Sequence, residues 1–241
     1  MRGGGYQDVT HLYLIRHGEA VSNVETIVAG MRGDTGLTTK GIAQVERLRD
    51  RLATTGEIAA DVFISSTLPR ARQTAEIIAP AVGLPIQWDD DVQELRPGEA
   101  DGLSIAQLEA QYGRPDFARD PYRLFAPGGE SWPQFMLRVA TTLTRITREH
   151  EGKTVMIVCH GGVIDGSFQA LMGLSPLTMT AVEFATRHTA ITHWERRQRE
   201  ERPPRWRLVR YNDDTHLSAR FLVRPPDQEE THPAVPLASE E

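Results

Sequence analysis

An arginine and a histidine stand where a short apolar segment ends near the start of the chain. Residues 11–15 are mostly apolar, and Arg16, His17 and Gly18 follow them. A strand at this position would deliver both polar side chains to its carboxyl end, where open α/β sheets bind their ligands. Gly18 would let the backbone turn sharply beside a bound group. The triplet alone is a weak indication of a site, because an Arg-His pair recurs at residues 187–188 without the glycine.

Three further positions place polar side chains after strand-like segments or on glycine-rich loops. Arg70 begins a helix-like segment directly after an apolar one, and His160 ends another apolar run and precedes two glycines. Glu94 lies on a loop that glycines punctuate. Because the carboxyl ends of parallel strands share one edge of a sheet, we expect these side chains to meet there. Backbone N–H groups at the helix N-terminus after His160 would be available to an anion.

A thiol nucleophile fits this sequence poorly. A cysteine phosphatase needs an arginine six positions after its cysteine, and the residue six positions after Cys159 is Asp165. We therefore interpret Cys159, the one cysteine of the chain, as a buried small apolar residue.

A metal site is also not expected. The polar residues that could act as ligands lack the familiar metal-binding spacings; they are His17, His160, Glu19 and Glu94. Arg16 and Arg70 would also repel a divalent cation. We predict no metal and no other cofactor, and we interpret Glu19 as a structural partner of the site.

Taken together, the motifs resemble those of the histidine phosphatase (phosphoglycerate mutase-like) superfamily, and they occur in that family's order. They are Arg-His-Gly-Glu at 16–19 with Asn23 and Gly30, residues 66–71, Glu94 with Gly98 and Gly102, Gly-Glu-Ser at 129–131, and His-Gly-Gly at 160–162. Residues 211–217 also resemble a terminal motif common in the family. Each motif alone is weak, but the five in order make the resemblance specific over roughly residues 10–217.

The resemblance implies a covalent mechanism. His17 would be the nucleophile and would form a phosphohistidine, which divides one difficult displacement into two easier ones. Nearby cations would hold down the pKa of His17 and keep a ring nitrogen unprotonated. Glu94 would be the general acid for the leaving oxygen and then the base for the incoming water. Because Arg96 and Glu99 are unusual in that loop, Glu99 is the next candidate for the acid.

The resemblance also implies a set of phosphate-binding groups. Phosphoryl transfer depends mainly on positioning and charge stabilisation, and the planar guanidinium of arginine donates two hydrogen bonds to one phosphate. The implied groups are the side chains of Arg16, Arg70, His160 and Asn23 and the N–H of Gly161.

The sequence departs from the mutases of this family at three positions. Ala20 and Ala29 replace hydroxyl residues, and Leu95 replaces a basic residue directly after the acid. The sequence therefore favours a metal-independent phosphatase that hydrolyses small phosphomonoesters. The alternatives are a 2,3-bisphosphoglycerate-dependent phosphoglycerate mutase and a phospho-ligand-binding protein without turnover. The last is disfavoured because every implied catalytic position is filled.

The pattern of elements predicts an α/β fold, a three-layer sandwich with a mostly parallel central sheet flanked by helices. Strands are predicted at residues 11–15, 61–65, 85–88, 153–159, 180–184, 190–194 and 206–210. Helices are predicted after Thr38 or Thr39, from Pro69, after Ser131 and after His160. The arginine-rich segment 195–210 is interpreted as a solvated loop rather than a binding patch.

The predicted domain organisation is one α/β domain over residues 1–223, followed by a disordered tail at 224–241 that is rich in Pro, Glu, Ser and Thr. Residues 98–129 form an insertion with one short helical stretch at 104–111, and an insertion of this length is often a lid. Its polar and aromatic residues either contact substrate or form a solvated surface; they are Arg114, Arg119, Arg123, Tyr112, Phe117, Tyr122 and Phe125.

Composition limits the partners of the chain. Its 241 residues carry a formal net charge of −6, which argues against a nucleic-acid-binding surface. One cysteine fits a reducing compartment, and no segment approaches the length of a membrane span. We expect a cytoplasmic protein that acts on a small phosphorylated metabolite and binds neither nucleic acid nor membrane. The exposed edge of the predicted sheet would allow a homodimer.

Overall fold

A six-stranded sheet forms the centre of the molecule in a computed structural model that describes residues 9–199 and 202–218. The strands are β1 (Val9–Arg16), β2 (Val62–Ser65), β3 (Ile86–Trp88), β4 (Thr154–Cys159), β5 (Ile191–Arg199) and β6 (Arg202–Asp213). Their order is β3-β2-β4-β1-β5-β6; the first four are parallel, and β5 and β6 are antiparallel to their neighbours. The sheet is mostly parallel, as predicted.

Six α-helices lie among the described residues. They are α1 (Val21–Val24), α2 (Thr39–Thr55), α3 (Pro69–Val82), α4 (Ile105–Tyr112), α5 (Trp132–Glu149) and α6 (Gly161–Leu171). Short 3-10 turns lie at Asp90–Val92, Gly98–Ala100 and Thr215–Leu217. The helices begin at the residues that the sequence indicates. Thr38 caps α2 by accepting a hydrogen bond from the Gly41 N–H, and Pro69 opens α3.

Side chains of the central strands point alternately to the two faces of the sheet, and this produces two separate cores. Leu12 and Leu14 of β1 pack with α5 and α6 on one face of the sheet. Tyr13 and Ile15 pack with α2 and α3 on the other. Since successive side chains of a strand point to opposite faces, a central strand buried on both sides must be apolar throughout. The sheet therefore separates two helical layers, which confirms the predicted three-layer α/β sandwich.

The end of the chain differs from the prediction. The arginine-rich segment interpreted as a solvated loop instead contributes to β5 and β6, which pair antiparallel and extend the sheet beyond β1. Charged side chains suit an edge strand because they discourage pairing with another chain. The strand predicted at 180–184 is absent; that segment is irregular, and Phe184 stacks on Phe168 with ring centroids 4.1 Å apart. The sheet position beside β1 is occupied by β5.

The predicted insertion packs with Val28 around a small core that includes Ala100, Leu108 and Ala126. Its short helix α4 is capped by Ser104, whose side chain accepts from the Gln107 N–H. None of the helices in the described part of the chain combines the length and the apolar composition that a membrane span requires. The tail predicted at residues 224–241 lies outside the described residues.

Candidate active site

The candidate residues gather where two neighbouring strands send the chain to opposite faces of the sheet. β1 and β4 pair in parallel, with Arg16 opposite Cys159 at their carboxyl ends. The chain after β1 leads to α2 on one face, and the chain after β4 leads to α6 on the other. Such a switch point opens a crevice in which α/β proteins bind ligands. His17 follows β1 and His160 follows β4, so their ring centroids lie 5.2 Å apart.

The His17 ring is held in one tautomer. Its Nδ1 lies 2.6 Å from the carbonyl oxygen of Gly18, which can only accept, so Nδ1 carries the proton. The opposite nitrogen, Nε2, accepts from Nε of Arg70 at 3.1 Å. Burial, followed by the charges of Arg70 and Arg16, lowers the pKa of His17 well below its usual value. The ring is therefore neutral, with its lone pair on Nε2.

Arg70 is fixed by more than its contact with His17. Its Nη1 donates to Asp34 Oδ2 at 2.8 Å and to the Ala29 carbonyl oxygen at 3.1 Å. The Arg70 backbone N–H also donates to Asp34 Oδ2, at 3.0 Å. This ion pair is buried on both sides. The guanidinium is therefore oriented before any ligand binds.

Arg16 lies at the boundary of the cavity. Its Nη1 donates to the Thr186 carbonyl oxygen, whereas its buried Nε has no hydrogen-bond partner among the described residues. Burial lowers the pKa of Arg16, although arginine stays protonated in proteins. Buried donors are nearly always satisfied in native proteins, so this N–H is available to an anionic ligand. Gly161 lies beside it; a Cβ there would be 3.7 Å from Arg16 Nε.

His160 is fully buried behind His17. Its Nε2 lies 2.7 Å from the hydroxyl oxygen of Ser66, at the end of β2. Its Nδ1 has no hydrogen-bond partner within the described part of the chain. Burial, together with the charges of Arg70, His17 and Arg16, lowers the pKa of His160 well below its usual value. His160 is therefore a second neutral imidazole beside the first.

The Glu94 carboxyl group is held by backbone N–H groups. Oε2 accepts from Gly162 at the start of α6 at 3.0 Å, and Oε1 accepts from Leu95 at 2.9 Å. The loop itself is clamped from α5, because Arg138 donates to the carbonyl oxygens of Gln93 and Glu94 at 2.9 and 3.1 Å. Glu99, the next candidate for the acid, is exposed and accepts from the Tyr112 hydroxyl instead.

These residues surround a cavity of about 310 Å³. Of the candidate residues, Arg16, His17, Asn23, Arg70 and Glu94 line it, whereas His160 and Gly161 do not. Asn23 uses its Oδ1 to accept from the Ala20 N–H at the start of α1. Among the seven polar and aromatic residues named in the insertion, Phe125 lines the cavity. The three insertion arginines line a different depression, outside this cavity.

Three residues near the site were not identified from the sequence. Asp34 anchors Arg70, and Arg138 anchors the Glu94 loop. His188 donates from Nδ1 to the His17 carbonyl oxygen at 3.3 Å, and burial, followed by the charge of Arg16, lowers its pKa to about 4. The Arg-His pair at 187–188 was visible in the sequence, but its position depended on the antiparallel pairing of β5 with β1. No sequence pattern pointed to Asp34.

Glu19 and Cys159, which could also do chemistry, make structural contacts instead. Glu19 accepts from Thr38 and pairs with Lys40 at 2.7 Å, and the hydrogen bond from Lys40 lowers the pKa of Glu19. Cys159 is buried in the core, as predicted, and burial raises the pKa of its thiol. Three groups that could ligate a metal lie together on β1 and β5, outside the cavity: His11, His193 and Glu195.

Comparison with known proteins identifies the family. The sequence profile of the histidine phosphatase superfamily (branch 1) matches residues 12–214. The chain belongs to this superfamily. A phosphoglycerate mutase-like protein 4 from Arabidopsis thaliana is 34% identical over 168 residues, which is 67% of this chain and 71% of that protein.

Two phosphatases of known structure share the fold of this histidine phosphatase superfamily member. A phosphoserine phosphatase from Entamoeba histolytica, solved with phosphoserine, has a TM-score of 0.69 and 26% identity, covering 87% of this chain and all (100%) of that one. A mycobacterial glucosyl-3-phosphoglycerate phosphatase, solved with VO3, has a TM-score of 0.66 and 25% identity, and the match covers 84% of this chain and 98% of that one. Family membership supports an enzyme that hydrolyses phosphate esters.

Proposed function

We propose that this chain is a metal-independent phosphatase that hydrolyses small phosphomonoesters through a phosphohistidine on His17. One observation carries the proposal: the Gly18 carbonyl oxygen fixes the proton of His17 on Nδ1, which leaves the lone pair on Nε2. A neutral imidazole with a fixed tautomer is a nucleophile that needs no further deprotonation. The contact of Arg70 with the same nitrogen puts a phosphate-binding group beside the attacking atom.

In the first step, Nε2 of His17 attacks phosphorus and the ester P–O bond breaks. Once phosphorus takes the Nε2 lone pair, the Arg70 Nε–H, which donates to Nε2 in the free enzyme, donates to a phosphoryl oxygen instead, and Arg16 Nε–H donates to another. The proton of the Glu94 carboxyl group moves to the leaving oxygen, so the alcohol departs neutral. The arginines contribute positioning and charge neutralisation, on which phosphoryl transfer mainly depends.

In the second step, water attacks the phosphohistidine. The Glu94 carboxylate takes a proton from that water, a P–O bond forms, and the P–N bond to His17 breaks. Inorganic phosphate leaves, and the neutral imidazole and the Glu94 carboxyl group are restored. The clamp from Arg138 keeps the same carboxylate in place for both steps.

The observation in favour of the phosphoglycerate mutase alternative is the sequence similarity to a phosphoglycerate mutase-like protein, whereas the residues that line the cavity argue against it. Ala29 and Leu95, which replace polar residues of the mutases, line the cavity with apolar side chains. A mutase must also retain its phosphoenzyme until the intermediate has turned around, whereas a phosphatase must admit water.

The test uses three purified proteins with a chelator present: wild type, His17→Ala and, as a control, His150→Ala at the end of α5. Each is incubated with p-nitrophenyl phosphate, and separately with 3-phosphoglycerate and a trace of 2,3-bisphosphoglycerate. Phosphate release is measured, and the phosphoenzyme is trapped by rapid quenching and detected by intact mass at alkaline pH.

We expect chelator-resistant phosphate release and one added phosphoryl group in the wild type and in His150→Ala, and neither in His17→Ala. Interconversion of phosphoglycerates with little phosphate released would identify a mutase instead. Full activity in His17→Ala would exclude His17 as the nucleophile.

A further inference from the structure

The cavity beside His17 has two chemically different parts. One end carries the cations and the nucleophile, Arg16, Arg70 and His17, with Glu94 next to them. The rest of the wall is apolar apart from Ser22 and Asn23. The apolar residues come from four separate segments of the chain: Ile27, Val28, Ala29, Leu95, Pro97, Ile105 and Phe125. The phosphoryl end is therefore continuous with a surface that cannot hydrogen-bond through its side chains.

Three arginines that are close in sequence to residues of the wall make their contacts elsewhere and do not line the cavity. Arg32 lies 3.8 Å from the carboxylate of Asp101. Arg96 donates to Gln93 and to the Asp90 carbonyl oxygen at 3.3 and 3.0 Å. Arg123 donates to backbone carbonyl oxygens within its own insertion. Among the described residues that line the cavity, Arg16 and Arg70 are the cations, and both belong to the phosphoryl end.

The largest apolar side chain of the wall is held firmly. The Phe125 N–H donates to the Glu130 carbonyl oxygen at 2.9 Å, in the segment that leads into α5. The Phe125 ring lies 6.4 Å from that of Phe117, which in turn lies 6.2 Å from that of Trp132. An aromatic ring supported in this way presents a fixed apolar surface, so a ligand does not have to order it on binding.

We propose that this apolar wall binds the alcohol part of the substrate and selects phosphomonoesters of apolar alcohols, aromatic or aliphatic, over esters that carry a carboxylate. The inference rests on the proposed function, because the wall matters only if phosphoryl transfer occurs at His17. An apolar alcohol gains from losing contact with water here, whereas a carboxylate would lose its hydration without gaining a cation. The cavity volume of about 310 Å³ lies at the lower end of the range of small-molecule pockets, which suits a small alcohol.

A series of n-alkyl phosphates from methyl to pentyl tests the wall without changing the chemistry, because the leaving alcohols have similar pKa values. We expect kcat/KM to rise by about 4-fold per added methylene until the cavity is filled. 3-Phosphoglycerate and phosphoserine should be poorer substrates than propyl phosphate. Phe125→Ala should flatten the dependence on chain length. Tyr122→Ala is the matched control, since it removes an exposed aromatic ring of the same insertion outside the cavity.

A variant that adds a positive charge to the wall tests the same proposal, because it should reverse the preference between apolar and carboxylate substrates. Leu95→Arg should lower kcat/KM for pentyl phosphate and raise it for 3-phosphoglycerate. Binding of the corresponding alkylphosphonates to wild type, measured by calorimetry, gives a readout that needs no turnover. The affinity of wild type for these alkylphosphonates should increase with chain length in parallel with kcat/KM.

The outcomes separate the two proposals. Turnover of methyl phosphate through a phosphoenzyme, with no gain along the series or with a preference for 3-phosphoglycerate, would overturn the apolar subsite and leave the phosphatase intact. Absence of both turnover and phosphoenzyme, with phosphonate affinity still rising along the series, would overturn the phosphatase and the selection of substrates, and would leave only a binding site for apolar groups. Phosphonate affinity that ignores chain length would overturn the subsite whatever the turnover.

Discussion

One carboxylate oxygen of Asp34 accepts two hydrogen bonds from Arg70. Its Oδ2 lies 3.0 Å from the Arg70 backbone nitrogen and 2.8 Å from Arg70 Nη1, and the exposed fractions of the two side chains are 0% and 6%. The same guanidinium contacts His17 through Nε. Asp34 thus orients the cation that meets the proposed nucleophile, although it does not line the cavity itself.

Replacing Asp34 should therefore impair catalysis from outside the cavity. Asp34→Asn removes the charge that balances Arg70, and we expect kcat/KM to fall by about 10- to 100-fold because the guanidinium loses its fixed orientation. Vanadate inhibition reports phosphoryl binding. Vanadate should bind more weakly to the variant, so its inhibition constant should rise in parallel. Asp34→Ala should also lower the free energy of unfolding, by about 3–5 kcal/mol, since it leaves a buried charge without its partner.

The control for Asp34 is Asp50→Asn. Asp50 pairs with Arg49 at 2.8 Å on the exposed surface of α2, and exposed pairs contribute little. We expect stability and kcat/KM to remain near those of wild type. Equal vanadate affinity in Asp34→Asn and wild type would show that Asp34 does not position Arg70.

Arg138 should act on catalysis through Glu94. It donates to the carbonyl oxygens of Gln93 and Glu94, and its Nε and Nη2 pair with the two carboxylate oxygens of Glu130, each at 2.7 Å. Arg138→Gln should release the loop and misplace the acid. We expect a large loss of kcat, within the 10²- to 10⁴-fold that general acid catalysis contributes, for alkyl phosphates, and a small loss for p-nitrophenyl phosphate, whose leaving group needs little protonation.

Arg145→Gln is the matched control for Arg138. Arg145 lies on the same helix and pairs with Asp89 at 2.6 Å, but its side chain is 41% exposed. It should leave the ratio of alkyl to aryl turnover unchanged. An Arg138→Gln variant that loses both activities equally would be merely destabilised rather than defective in the acid.

Gly162 should be intolerant of a side chain because of Glu94. Its N–H donates to Glu94 Oε2, and a Cβ would overlap Oε1 and lie 2.9 Å from the Phe135 ring. Gly162→Ala should therefore displace the carboxylate and reduce kcat for alkyl phosphates as strongly as Glu94→Gln does. The double variant should be no worse than Glu94→Gln alone, since both changes remove one function. Additive losses would show that Gly162 acts separately from Glu94.

The sequence predicted the parts of the fold that local patterns encode. Apolar runs that end in polar residues gave β1, β2 and β4 within one or two residues of their observed bounds, and the Thr38 cap and Pro69 marked two helix starts. The antiparallel pair of β5 and β6 was interpreted as a loop in part, because its charged residues are typical of a solvated surface. Pairing of β5 with β1, which is remote in sequence, and pairing of β6 with β5 make those residues strands.

The site was predictable to the same extent. Residues that follow strand ends, such as His17 and His160, could be brought together from topology alone, and the structure brings them within 5.2 Å. Asp34 and Arg138 were missed because they act through other side chains or the backbone and follow no strand. Asn23 lines the cavity as expected, but its role in binding phosphate stays a prediction.

Acidification should destabilise the protein well above the pH at which carboxylates titrate. Burial lowers the pKa of five histidines: His17 and His160 well below their usual value, and His188, His193 and His216 to about 4. These groups are neutral in the folded state and bind protons near pH 6.5 in the unfolded state. Between about pH 6.5 and 4 the unfolded state therefore holds more protons, so the free energy of unfolding falls as the pH falls. Asp165 opposes this trend, because burial raises its pKa to about 7.

The five histidines gain protons on unfolding and Asp165 loses one, so unfolding takes up more than one proton in total. The free energy of unfolding should therefore change by more than about 1.4 kcal/mol per pH unit between pH 6 and 5. Urea denaturation at a series of pH values measures it. His216→Gln should reduce the slope by about one proton, since His216 is buried against Thr189 and Arg51. A free energy of unfolding that stays constant from pH 7 to 5 would mean that the folded protein already binds these protons, which would also deprive His17 of its unprotonated Nε2.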